Sequence, residues 1–242
     1  MVRFGLAIFL AFNVPSLVFA TEVLDQYHHL TRYMSATGVG YNHDQRAAQT
    51  VQVGITGQLS RIEFWTIQDG DEPDDLALEI RPLEMDGSPV ESDSSILAQV
   101  VIPGDTLPVR GGIGLPVSQI DIRPYLFSVD LTPLELFFHV GDNFAFAFRN
   151  TDPSGGDIGT AFSVLGDLAS GLGPYPYGQA FLRNNEQVSG EFFEWATTTQ
   201  TVDLGFRTYV VPVPEPATLT LMVLILMSTR MHRWKGENTL LG

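Results

Sequence analysis

Oxygen donors crowd one stretch of this 242-residue chain: Asp69, Asp71, Asp74 and Asp75, with Glu72 among them, fall within seven positions. Carboxylates this dense in a turn-forming segment can ligate calcium at about 2.3–2.6 Å. The stretch is not the twelve-residue helix–loop–helix calcium motif, because no Glu closes it and no helix flanks it. A solvated acidic loop is the plainer reading, and residues 152–157, with Asp152 and Asp157, are a second candidate that reads more simply still as a turn. Flat aromatic faces are the second chemistry on offer. Tyr175 and Tyr177 bracket Pro176 in a Gly/Pro-rich loop where core burial does not readily explain both rings, and Trp195 follows Phe192 and Phe193. Sugar C–H faces pack on such rings while their hydroxyls need polar partners. Core aromatics would have the same residue types. Trp65 is ambiguous, in phase with Ile67 and out of phase with Phe64.

Motifs for catalysis are missing. There is no cysteine, so thiolate nucleophiles, thiolate metal sites and disulfides are excluded. No Gly-x-Ser-x-Gly elbow, His-Glu-x-x-His pair or phosphate-cradling glycine loop occurs. His28 and His29 are adjacent near the N-terminus, His43 stands beside Asp44, and His139 sits among apolar residues as strand histidines do. A carboxylate pair for glycoside hydrolysis stays open, since a separation of about 5–10 Å is a three-dimensional fact. No catalytic residue is assigned and no enzymatic activity is expected.

Strands must position whatever chemistry exists. Residues 49–55 and 58–65 alternate polar and apolar, as half-buried strands do, with Gly57 between them for a tight turn. Further runs lie at 76–83, 96–102, 118–122, 134–140, 143–149, 160–164, 179–183 and 202–211. Phe144, Phe146 and Phe148 alternate with Asn143, Ala145 and Ala147, one aromatic row for a core face. Helical periodicity is confined to residues 23–35. Many short strands punctuated by Gly/Pro clusters predict an all-β antiparallel sandwich over residues 49–211, with 21–48 as an N-terminal segment outside it.

Charge narrows the partners. Residues 21–216 carry nine cations, all arginine, against 27 carboxylates, a net charge of −18. An acid-rich, lysine-free surface argues against nucleic acid and anionic lipid as partners. It suits a secreted protein kept soluble by self-repulsion.

The two ends carry export signals. Residues 1–20 have one cation, Arg3, an apolar run, and Val18-Phe19-Ala20 as a cleavage motif, so a signal peptide cleaved after Ala20 is expected. At the other end, Pro212 and then Val213-Pro214-Glu215-Pro216 keep the chain extended and exposed. Residues 217–229 follow without a charge, then Arg230, Arg233 and Lys235. As a helix, residues 217–234 would span about 27 Å with the arginines snorkelling, a thin transmembrane span with its C-terminus in the cytoplasm. This tail, residues 212–242, resembles the PEP-CTERM sorting signal of Gram-negative bacteria. That resemblance implies export across the inner membrane, anchoring by the tail, transfer to an exosortase as partner, and a final place on the cell surface or outside it. The apolar run is shorter, and the stretch after it longer, than that pattern has.

A second resemblance concerns the body. Residues 49–64, paired as a hairpin around Gly57-Gln58-Leu59-Ser60-Arg61-Ile62-Glu63, look like an early hairpin of jelly-roll modules related to carbohydrate-binding domains. Residues 202–210 look like the closing strand of domains that precede such tails. The resemblance implies a jelly-roll β-sandwich, often glycan-binding and often carrying a structural calcium ion; it transfers no ligand residues. Binding to an extracellular polysaccharide is thus the expected role, with a secreted glycan hydrolase or lyase, or a self-assembling surface protein, as alternatives.

Overall fold

A computed structural model describes residues 21–29, 34–39, 46–69, 75–106, 125–151, 161–168, 175–183, 192–194 and 202–213. They form an all-β molecule of two antiparallel sheets facing each other across one core. Sheet A runs β1 (Val23–His28), β14 (Phe206–Pro212), β4 (Gly57–Asp69), β10 (Ala161–Leu168), β13 (Val202–Leu204); β2 (Met34–Val39) pairs with β10, and β7 (Tyr125–Asp130) and β8 (Phe137–Phe138) pair with β4. Sheet B runs β12 (Phe193–Glu194), β11 (Ala180–Arg183), β3 (Arg46–Gln52), β9 (Asn143–Asn150), β5 (Leu76–Arg81), β6 (Ala98–Ile102).

The aromatic row of β9 sits where its alternation puts it. Phe144, Phe146 and Phe148 are buried and point between the sheets. Phe148 meets Phe64 of the opposite sheet at a ring separation of 4.4 Å, Phe146 meets Phe206 at 5.3 Å, and Phe144 stacks on Phe138 at 4.9 Å. Each such ring contributes about 1.5–3 kcal/mol by leaving water. Ala145 and Ala147, on the other face of β9, are buried as well. Ala147 packs with Ala48, Phe181 and Phe192 in a small cluster outside the main core.

Four expectations need correcting. The segment 21–48 is not outside the sheets: β1 pairs with β14, β2 with β10, and β3 begins at Arg46. Residues 23–28 are a strand and not a helix, because β14 offers them a ladder and the core takes His28. Residues 49–64 are not a hairpin, since β3 lies in sheet B and β4 in sheet A. Both strands turn an apolar face to one core, so alternation alone cannot tell a hairpin from a corner. That corner is tied to the β8–β9 turn by Val53 N–H donating to Asp142 O at 2.8 Å and Gly141 N–H donating to Val53 O at 2.8 Å. Gly141 has φ +90°, a left-handed conformation that glycine adopts without strain. Finally, only Phe137–Phe138 of the 134–140 run is strand. Pro133 has no N–H, Glu135 is left-handed at φ 50°, and Thr132–Leu134 instead make a 3-10 turn. The expected strand at 118–122 lies outside the described residues.

Candidate functional site

The outer face of sheet A gathers a platform of rings and guanidinium groups. Register places Tyr27, Arg207, Glu63 and Ser128 side by side across β1, β14, β4 and β7. Tyr209, Arg61 and Asp130 make the next row on one side, and Trp65 pairs with Leu126 on the other. Inward residues alternate with these: Ile62, Phe64, Phe206 and Val129 are buried. The period of two in both β4 and β14 is therefore what turns Arg61, Glu63, Trp65, Arg207 and Tyr209 to one side.

Glu63 organises the platform. Its Oε1 accepts from Arg61 Nη1 at 2.7 Å, and its Oε2 accepts from Arg207 Nη1 at 3.3 Å and from the Tyr209 hydroxyl at 3.1 Å. Arg61 also pairs with Glu22 at 2.8 Å and lies over the Tyr209 ring, 3.8 Å from its centroid. Arg207 lies over Trp65 at 5.5 Å. His29 joins the aromatic line, 6.2 Å from the Trp65 ring and 4.8 Å from that of Tyr27. Tyr27, His29 and Leu126 are exposed and Trp65 half-buried, so apolar ring surface reaches solvent beside charged donors. Both oxygens of Glu63 are engaged, so its carboxylate holds the arginines in place and is not free as a base. Such an arrangement can bind a flat, hydroxyl-rich ligand by ring contact and donated hydrogen bonds.

Tyr175, expected as a glycan contact, is a core residue. Its N–H donates to Asp203 Oδ2 at 2.9 Å, its hydroxyl donates to Gln26 Oε1 at 3.0 Å, and its ring edge meets Phe206 at 5.1 Å. Only 4% of it is exposed, and burial holds its hydroxyl proton far above the usual tyrosine range. Gln49 and Asp203 complete this buried polar group. Gln49 donates to Asp203 Oδ1 at 3.3 Å and accepts from Leu204 N–H at 2.8 Å, and burial pushes the Asp203 carboxyl above its ordinary value. Tyr177 is exposed, 6.0 Å from Tyr175 in ring separation, and its carbonyl accepts from Gln52 N–H at the end of β3. Trp195 lies outside the described residues.

The acidic loop is only partly described: Asp71 and Asp74 lie outside, and Asp69 ends β4 opposite Ala161. Asp75 Oδ1 accepts from Gly104 N–H at 3.0 Å, which ties β5 to the turn after β6. Among the described residues no group of three or more His, Asp or Glu side chains is placed to hold a metal. Of the sorting motif, Val213 alone is described, exposed and donating its N–H to Thr56 O at 3.3 Å. Pro214, Glu215, Pro216, Arg230, Arg233 and the cleavage residue Ala20 lie outside. Among the described residues no helix is long and apolar enough to cross a membrane.

Sequence reading missed the platform, apart from marking Trp65 as ambiguous. The available signal was the alternation Arg61, Glu63, Trp65 and Arg207, Tyr209, with charged and aromatic types on one parity. A second charged cluster lies on the outer face of sheet B. Glu79, fully buried, accepts from Arg81 Nε and Arg149 Nε at 2.8 Å each, and Asp93 accepts from Arg46 at 2.9 Å and Arg81 at 2.8 Å. Arg46 and Arg81 are themselves buried, which makes this cluster a structural network. No protein-family model matches the chain, and no curated protein matches it.

Proposed function

We propose that this is an exported, non-catalytic surface protein, anchored by its C-terminal tail, that binds extracellular polysaccharide through the outer face of sheet A. The observation that carries the reading is the Arg207–Trp65 and Arg61–Tyr209 stacking over a four-strand grid, held by Glu63. Ring faces supply contact for sugar C–H surfaces, and guanidinium N–H groups supply donors for their oxygens. Glu63 is occupied by three donors, which favours binding over acid–base chemistry. A jelly-roll module fits the way the chain crosses between sheets from β2 to β3, β3 to β4, β4 to β5, β6 to β7, β8 to β9, β9 to β10, β10 to β11 and β12 to β13. The signal peptide, the Val213–Pro216 motif and the apolar, arginine-ended tail support export, an inner-membrane anchor and an exosortase as processing partner.

The test is retention of the full chain, in detergent, on a polysaccharide panel that includes the producer's own matrix, alongside the Trp65→Ala variant. Retention that the variant loses supports the platform. No retention, or equal retention of both, overturns it. Replacing Pro214, Glu215 and Pro216 with alanine tests the tail: export continues and C-terminal processing stops, whereas an unchanged mature mass overturns the sorting reading.

A further inference from the structure

Exposed apolar side chains collect at the end of the molecule where the described chain stops. Phe137 is 60% exposed, Val140 64% and Val213 45%. All three belong to one corner. Gly57 pairs with both Phe138 and Pro212, Val140 N–H donates to Thr56 Oγ1 at 3.0 Å, and Val213 N–H donates to Thr56 O. Phe138 is the inward member of β8, stacked on Phe144, so Phe137 faces away from the core. Tyr177, 55% exposed, is attached at the same end, its carbonyl accepting from Gln52 N–H at 3.0 Å.

We propose that this pole of the protein is a membrane-contact surface, resting on the interface of the bilayer that the tail enters. The proposal depends on reading residues 217–234 as a membrane span. Three residues, Pro214, Glu215 and Pro216, separate Val213 from the start of the apolar run. Four residue steps reach no further than about 14 Å even at full extension, roughly 3.3–3.6 Å per residue. The headgroup layer is itself about 5–8 Å deep on each side. The pole can then stand off the interface by little more than a side chain, and Phe137 and Val140 are what it presents there. Aromatic and aliphatic side chains at this depth gain by leaving water. The lipid must be zwitterionic or neutral: the body is strongly acidic, and Asp142, beside His139 at this pole, is half exposed. An anionic surface would repel it.

The absence of cysteine makes a site-specific test clean. Full-length protein carrying Val140→Cys is labelled with a polarity-sensitive fluorophore and reconstituted in phosphatidylcholine–phosphatidylethanolamine vesicles. Thr106→Cys, exposed at the opposite pole beyond β6, is the control. Insertion of the tail is scored separately, as resistance to alkaline extraction. The expected result is an inserted protein whose label at position 140 emits to the blue and is at least about threefold less quenched by iodide than the label at 106, as burial of a few ångströms in the interface requires. Insertion with equal quenching at both positions overturns the membrane contact and leaves the anchor standing. A protein extracted at alkaline pH overturns the anchor, and the contact with it.

Discussion

Arg207 lies over the ring of Trp65 with 5.5 Å from guanidinium carbon to centroid, although 142 positions separate the two residues in the chain. The contact exists because β14 pairs with β4 in a register that sets Phe206 opposite Phe64 and Arg207 opposite Glu63. Glu63 holds the other side of the Arg207 group, so the guanidinium is fixed by an ion pair and a ring at once.

Replacing Trp65 with alanine should weaken retention on the bound polysaccharide at least about fivefold, in line with roughly 1 kcal/mol for an aromatic contact. Arg207→Lys should fall in the same direction, because an ammonium cannot reproduce the planar fork. Affinity electrophoresis reads both. Unchanged mobility shifts in the two variants would remove the platform from the binding account.

Glu79→Gln should destabilise the protein by about 3–5 kcal/mol, because the buried Arg81 and Arg46 would keep their charge without the buried carboxylate they both face. Urea unfolding should show a lower midpoint with an unchanged slope. The double variant Glu79→Leu, Arg81→Met should lose less than the single one, since it removes both members of a buried pair. A single variant as stable as the parent would show that the network contributes nothing.

Gly178→Ala should cost about 1–3 kcal/mol by overpacking. A Cβ there would lie 1.8 Å from the Thr50 carbonyl oxygen, a backbone atom with no side-chain freedom. Hydrogen exchange should accelerate at Gln52 and Thr50, whose N–H groups donate to Tyr177 O and Gln179 O. Full protection in the variant would refute the close packing of this loop on β3.

Acid should loosen the cluster on sheet B before neutral pH does anything to it. Hydrogen bonding from Arg46, and then from Arg81 against the opposing effect of burial, holds the Asp93 carboxyl well below its ordinary 3.8. A depressed folded value means that ionised Asp93 stabilises the fold above about pH 4 and loses that effect as pH falls through the depressed value. Asp203 runs the other way: burial raises it, so its ionisation opposes folding as pH climbs past 3.8 and through the raised value. Asp93→Asn should therefore be less stable than the parent at pH 7, with the gap narrowing steadily as pH falls from about 4 towards 2. A stability difference that is constant across that range, followed by denaturant unfolding at each pH, would exclude this assignment.

Much of the sheet scaffold was legible from residue types. The strand of β9 and its core row of Phe144, Phe146 and Phe148 follow from a period of two, and so do the positions of β4 and β5, whereas the single strand expected over 202–211 is divided at Gly205 into β13 and β14. The proposed export signals rest on local composition alone. What lay beyond local pattern was which strands become neighbours. Residues 23–28 look helical in isolation and become a strand because β14 supplies hydrogen-bond partners nearly two hundred positions away. β3 and β4 look like a hairpin and separate into opposite sheets, since alternation records only that one face is buried and not which face covers it. Tyr175 looks like a loop aromatic and is drawn inward by Asp203 and Phe206, while Trp65 gains its arginine from the far end of the chain. The linear chain by itself determined which strand faces would be apolar, because those depend on side-chain chemistry and spacing. Only the tertiary structure decided pairing, register and the platform, because each is a contact between segments that nothing local connects.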